Sequence, residues 1–194
     1  EMPEKGASDF KALKKSYSKG LEVQGKTLGI IGMGRIGSAA AEMALGLGMN
    51  VVGSGHSNGK KEVTLSFANG KSTTIDVDMI SKEDLLNQSD FVSLHVPAQE
   101  EYVLGKDEYA QMKKGAILIH AARGGVIDEN ALIEALDNGH LAAAALDVFE
   151  NEPTPKPALL SHPKIFSTPH IGASTVAAQA RIGIELADNI LANA

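Results

Sequence analysis

Apolar residues arrive in short blocks, and the spacing within each block changes along the chain. Lys26-Thr27-Leu28-Gly29-Ile30-Ile31-Gly32 is a largely apolar run of strand length, and Ala39, Ala40, Met43, Ala44 and Leu47 then recur at helical spacing. Gly46 and Gly48 end that helix, and Asn50-Val51-Val52-Gly53 predicts a second buried strand. Strand, glycine turn, helix and strand within about 30 residues form one βαβ unit with an expected right-handed crossover. From Val63 the period switches to two: Val63, Leu65 and Phe67 alternate with polar residues, and Thr73 and Ile75 resume beyond Asn69-Gly70. That dipeptide between alternating runs predicts an antiparallel hairpin over 63–77, inserted into a parallel fold.

Beyond the hairpin the strand–helix rhythm returns. Ser81 opens a capped helix carrying Leu85 and Leu86, Asp90–His95 is a strand, Glu108–Lys114 a helix, and Ala116–His120 a buried strand. Asp128 caps a helix with Ala131, Leu132, Ala135 and Leu136, closed by Gly139. Ala142–Val148 and Lys164–Ser167 are the last predicted strands, and Val176, Ala180, Gly183, Ile184, Ala187 and Leu191 make one face of a C-terminal helix. The fold class is therefore α/β, a Rossmann-type doubly wound parallel sheet with an inserted β-hairpin. Residues 1–24 are a polar approach segment with room for a short helix, 25–175 the main domain, and 176–194 the C-terminal helix.

Composition narrows the function classes. Of 194 residues 43% are hydrophobic and 22% charged, an ordinary globular balance, and the net charge of −6 offers no basic field to nucleic acid or an anionic membrane. No apolar run approaches the roughly 20 residues of a membrane span. The absence of cysteine leaves no disulfide framework and suits a reducing cytoplasm, where the chain is expected to work. The six histidines are dispersed without metal-ligand spacing.

The glycine turn carries the first chemistry. In Gly32-x-Gly34-x-x-Gly37, Gly32 permits a tight turn out of the strand, Gly34 lets backbone approach a pyrophosphate, and Gly37 lets helix close on strand. The first-turn N–H groups and the helix dipole then attract phosphates. Alone the pattern is weak, but here it leaves a strand and opens a helix inside a βαβ unit, the context that makes it a dinucleotide site. An NAD site ordinarily adds an acid about 20 residues on, for the adenosine ribose. This chain has Gly53-Ser54-Gly55-His56-Ser57 there, with Gly55 in the acid's place. Lys60 and Lys61 follow, either as a partner for the 2′-phosphate of NADP or as a solvated stretch. NAD is the expected cofactor, with NADP open.

Five stretches in order resemble the D-isomer-specific 2-hydroxyacid dehydrogenase family: Gly25–Gly32 with the glycine loop, Ser89–Pro97, Ala122-Arg123-Gly124-Gly125-Val126-Ile127-Asp128, Ala145–Pro153 and Thr168–Thr175. The last three look most like its 3-phosphoglycerate dehydrogenase branch. The resemblance implies that Arg123, Glu152 and His170 cooperate in catalysis. It further implies that Arg35, Ile36, His95, Val96, Pro97, Ala121, Ala122 and Gly172 line the cofactor, and that Asp147 orients the nicotinamide carboxamide. The residue types suit the chemistry. Oxidising a 2-hydroxy acid releases a hydroxyl proton as hydride leaves, and imidazole, the side-chain type at His170, is the base such a step commonly uses. A carboxylate, Glu152, stabilises the imidazolium, while the Arg123 guanidinium grips a substrate carboxylate in bidentate fashion. Each residue has a plainer reading when taken singly: a surface ion pair for Arg123, a solvated loop carboxylate for Glu152, a hydrogen-bonded structural histidine for His170.

The chain departs from the family pattern at Gly55, in the short loop Ala98–Tyr102, and in the 63–77 hairpin. The family's substrate domain lies mostly ahead of its cofactor domain, so this chain is expected to be an excised cofactor part that binds dinucleotide but turns over little alone. Expected partners are a small 2-hydroxy or 2-oxo acid, D-3-phosphoglycerate foremost, and a second copy joined through the cofactor domain. The alternative is a dinucleotide-sensing corepressor of the same fold that does not turn over substrate.

Overall fold

The computed structural model describes residues 2–16, 18, 20–56 and 58–193; Ser57, part of the stretch that lacks an acid, lies outside them. The elements in order are α1 (Met2–Ser16), β1 (Thr27–Ile31), α2 (Arg35–Gly46), β2 (Asn50–Ser54), β3 (Gly59–Ser66), β4 (Ser72–Met79), α3 (Lys82–Gln88), β5 (Phe91–Leu94), α4 (Lys106–Gln111), β6 (Ile117–His120), α5 (Glu129–Asp137), β7 (Ala143–Leu146), α6 (Pro157–Leu160), β8 (Ile165–Ser167) and α7 (Val176–Ala192). They build one eight-stranded sheet in the order β3-β4-β2-β1-β5-β6-β7-β8, parallel at every junction except β3–β4.

Local signals set the element ends. Ser81 Oγ accepts from Asp84 N, and Asp128 Oδ1 accepts from Asn130 N and Ala131 N, each satisfying first-turn donors that have no intrahelical partner. Gly70, at φ 77°, turns the β3–β4 hairpin, and Asn69 Oδ1 accepts from Lys71 N inside that turn.

The hairpin is longer than the alternation implied and is part of the main sheet. Its return strand β4 runs parallel to β2, with Val52 opposite Asp78 and Gly53 opposite Met79, so β4 occupies the third parallel position of a doubly wound half. Only β3 is added at the edge. Burial within the hairpin falls on Val63, Leu65, Val77 and Met79, whereas Phe67 and Ile75 are exposed near its tip.

The sheet separates two cores. Leu28, Ile30, Ala41, Ala44, Val63, Val77 and Met79 pack on the α2 side. Ile31, Leu85, Leu86, Val92, Leu94, Leu118, Leu132 and Leu136 are among those packing on the side of α3, α4 and α5. Leu85, Leu86, Leu118, Leu132 and Leu136 are fully buried, each contributing about 2 kcal/mol relative to exposure. Two terminal features differ from the sequence pattern. The approach segment holds a longer helix, α1, and α7 buries none of its residues, although its apolar face is present in the sequence. Among the described residues no helix is long and apolar enough to cross a membrane.

Candidate functional site

Parallel strands put all their C-terminal ends along one edge, and every candidate residue lies there. In spatial order that edge carries Gly55 after β2, Gly32 after β1, His95 after β5, Ala121–Arg123 after β6, Asp147 after β7 and His170 after β8. The chain winds outward from β1 to β4 and then returns to place β5 on the other side of β1. The gap between β1 and β5 is therefore the topological switch point, where such sheets open a crevice.

The glycine loop sits at that crevice. Gly32 takes φ 99°, and a Cβ there would fall 2.6 Å from the His95 carbonyl oxygen, so the loop leaves β1 pressed against the end of β5. Gly37 closes α2 onto the loop so tightly that a Cβ would meet Gly32 O at 2.1 Å. Gly34 has open space around it, and the first turn of α2 contains neither an acidic residue nor a side-chain cap. Free N–H donors with room in front of them suit an anionic diphosphate. Arg35 points outward and pairs with Glu185 of α7 at 3.2 Å, while Ile36 is exposed.

Either side of the loop the edge is less charged. Ser54 is buried, and the nearest atom to a Cβ on Gly55 would be Met79 Cε at 3.7 Å, so a side chain at position 55 would have room. Lys60 is turned to Asp76, 3.5 Å away. His95 Nε2 meets Ser93 Oγ at 2.9 Å, and burial pushes its imidazole below the ordinary value. Val96 is half-buried beside it and Pro97 exposed.

At the other end, the structure joins residues far apart in sequence. His170 Nδ1 and Glu152 Oε2 are 2.8 Å apart, and Glu152 Oε1 accepts from Phe149 N at 3.0 Å. The bond to His170, then that from Phe149, holds the Glu152 carboxyl below its ordinary range. His170 Nε2 makes no hydrogen bond among the described residues and is open to a ligand. The pair lines a pocket of about 400 Å³ walled by Phe149, Pro153, Pro155, Leu160 and Pro169. His170 has φ 54°, the one non-glycine residue with positive φ among those described, a backbone cost of order 1–3 kcal/mol that surrounding contacts must hold in place.

Asp147 supplies that restraint. Its carboxylate accepts from Thr168 Oγ1, from Ile171 N at 2.9 Å and from Gly172 N at 2.8 Å, gripping the chain on both sides of His170. Burial raises the Asp147 pKa, but these three bonds outweigh it and hold the carboxyl below its usual value. The sequence signalled Asp147 only through a resemblance and did not single out Thr168, its hydroxyl partner.

Arg123 is exposed, with Nη1 donating to Ala122 O at 2.6 Å. Ala121 is exposed and Ala122 buried ahead of it. Gly124 lets this loop lie against the Glu152 loop, since a Cβ would fall 2.0 Å from Phe149 O. No group of three or more His, Cys, Asp or Glu residues placed to hold a metal occurs among the described residues.

Residues 4–172 match the profile of the D-isomer specific 2-hydroxyacid dehydrogenase, NAD binding domain. The chain is 43% identical over 175 residues to D-3-phosphoglycerate dehydrogenase of Bacillus subtilis (strain 168), covering 89% of this chain and 31% of that protein. It is 42% identical over 181 residues to hydroxypyruvate reductase of Thermotoga maritima, covering 91% and 55%. Among solved structures, a glyoxylate reductase from Paecilomyes thermophila superposes with a TM-score of 0.76 at 33% identity, covering 95% of this chain and 54% of that one. The NAD-complexed D-isomer specific 2-hydroxyacid dehydrogenase of Lactobacillus delbrueckii ssp. bulgaricus superposes at 0.71 with 28% identity, covering 88% and 54%. The chain thus spans between about a third and just over half of the relatives it matches.

Proposed function

The chain belongs to the D-isomer-specific 2-hydroxyacid dehydrogenase family as its NAD-binding domain, and from that premise we propose that it holds the cofactor and the acid–base pair for oxidising a D-2-hydroxy acid, with D-3-phosphoglycerate as substrate. The observation that carries this reading is the 2.8 Å His170–Glu152 pair, with Nε2 open, on the same sheet edge as the glycine loop.

The residues divide the work. The first turn of α2, behind Gly34, holds the diphosphate by backbone N–H donors, and His95, Val96 and Pro97 wall the crevice beside it. A nicotinamide held there would supply the hydride acceptor for oxidation at C2 of the hydroxy acid and the hydride donor for reduction of the 2-oxo acid. His170 Nε2 takes the 2-hydroxyl proton in the oxidative direction and gives it back in the reductive one. Glu152, accepting from Nδ1, fixes the imidazole tautomer and stabilises the cation formed when Nε2 is protonated. Arg123, exposed on the same edge, offers its guanidinium to the substrate carboxylate. Asp147 keeps the His170 loop in register; its Oδ2, which takes a single bond from Gly172 N, retains capacity to receive a carboxamide N–H.

NAD(H) is the cofactor we propose, supported by the NAD-complexed relative and by the engagement of Lys60 with Asp76. Exposed apolar residues on α2 (Ile36, Met43), just past its end (Leu47) and on α7 (Ile184, Leu191) support a homodimer built through this domain, to be read as a doubled mass by light scattering.

The deciding assay follows absorbance at the reduced nicotinamide band for the full-length protein, with NAD(H) and NADP(H) and a panel of D-2-hydroxy and 2-oxo acids. Turnover fastest with D-3-phosphoglycerate and NAD is expected. Turnover with a different acid would overturn the substrate, tighter NADPH binding would overturn the cofactor, and tight NADH binding without turnover would favour a sensing role.

A further inference from the structure

Glu152 stands on the segment from Glu150 to Lys156, and that segment is fastened at both ends by a charge cluster outside the acid–base pair. Glu129, the first residue of α5, is 2% exposed. Its Oε1 accepts from Glu150 N at 2.8 Å, and its Oε2 lies 3.2 Å from Lys156 Nζ. Lys156 Nζ also donates to Glu150 Oε2 at 2.8 Å, so one ammonium bridges two carboxylates and joins the two ends of the segment. Asn130 Oδ1 lies 3.4 Å from the same ammonium, and Tyr102 O–H donates to Glu150 Oε1 at 3.0 Å, tying in the loop after β5.

A buried carboxylate is a poor way to gain stability, because desolvation consumes much of the Coulombic gain and well-packed apolar residues do as well. Its value is directional: an ion bridging two partners, with a backbone N–H on one of them, admits few arrangements of the chain it holds. We infer that Glu129, Lys156 and Glu150 form a clasp that positions Glu152, setting the distance at which its carboxylate meets His170. They are positioning residues, because the groups that act on the Glu152 carboxyl itself are His170, Phe149 N and Asp147. The inference rests on the reading of Glu152 and His170 as the acid–base pair.

The charges of the clasp make the test discriminating. Glu129→Gln removes a negative charge and Lys156→Met a positive one, so direct electrostatics would move the Glu152 titration in opposite directions. Release of the clasp moves it the same way in both, upward, because the bond from His170 that depresses it is lost. The measurement is the carbon-13 chemical shift of the Glu152 side-chain carboxyl against pH in the 194-residue chain, assigned by its disappearance in Glu152→Gln.

Both variants are expected to raise the midpoint by about 0.5 or more, and Lys156→Arg, which can still bridge two carboxylates, to leave it at the wild-type value. An unchanged midpoint in Glu129→Gln and Lys156→Met, or midpoints moving in opposite directions, overturns the clasp. Should Glu129→Gln not fold, Tyr102→Phe takes its place; it alters no charge at neutral pH, and an upward move supports the clasp where no move opposes it. NADH binding by fluorescence on the same samples keeps the two ideas apart. Failure of the wild type to bind NADH defeats the functional reading, while the Glu152 titration still decides the clasp.

Discussion

Replacing His120 with Leu is expected to remove a large part of the acid lability of this fold. His120 ends β6 with 1% exposure, and among the described residues neither ring nitrogen has a hydrogen-bond partner. Burial drives its pKa from 6.5 down to about 4, against a smaller opposing pull from the nearby Arg123 backbone, which does not reach hydrogen-bond geometry with the ring. The folded chain therefore keeps this ring neutral where the unfolded chain protonates it. Between pH 6.5 and about 4 the unfolded state binds the extra proton, so stability falls as pH drops through that window and rises again toward neutrality. The gap between the two values corresponds to about 3 kcal/mol of stability present at pH 7.5 and lost once pH is below about 4.

Urea unfolding followed by circular dichroism, for wild type and His120→Leu at pH 7.5 and at pH 4.5, isolates this contribution, since every other titrating group is common to both. At pH 7.5 the variant is expected to match or exceed wild type by about 1 kcal/mol, because it exchanges two unpaired buried nitrogens for an apolar side chain. At pH 4.5 its advantage should grow by about 2 kcal/mol more. Equal losses in the two proteins on acidification would refute the reasoning, and would mean that the folded state protonates His120 as readily as the unfolded one does.

Three further outcomes test other parts of the site. Gly37→Ala would bring a methyl group 2.1 Å from Gly32 O, so a melting-temperature drop equivalent to about 2 kcal/mol or more and loss of NADH fluorescence enhancement are expected together. Asp147→Asn puts an amide donor where the carboxylate receives Thr168, Ile171 and Gly172; steady-state kinetics of the full-length protein should show kcat falling about tenfold or more with little change in KM for the dinucleotide. Gly55→Asp places a carboxylate at the ribose end, where a Cβ has 3.7 Å of clearance, and should tighten NADH and weaken NADPH about fivefold each in side-by-side titrations.

Much of this molecule was legible residue by residue because the determinants are local. The helix starts at Ser81 and Asp128 and the turn at Asn69-Gly70 depend on hydrogen bonds and dihedral preferences a few residues wide, and the structure places them where the sequence does. The glycine loop is nearly as local, since Gly32 and Gly37 lie close enough in sequence for their packing requirement to be written into the spacing. The candidate residues were nameable too, but through a resemblance: nothing within the chain states that Glu152 should meet His170.

What the sequence by itself determined is therefore the alternation of strands and helices, their caps, and the kinds of chemistry available at their ends. Only the tertiary structure decided that β4 lies parallel to β2, because a hairpin's alternation is satisfied by either of its strands taking the inner place. Only it decided that His120 finds no hydrogen-bond partner among the described residues, that α7 buries nothing, and that Glu129 reaches Lys156 and Glu150. Burial, ion pairing and sheet order belong to contacts between distant segments, whose free energy appears only when the whole sheet has closed around them.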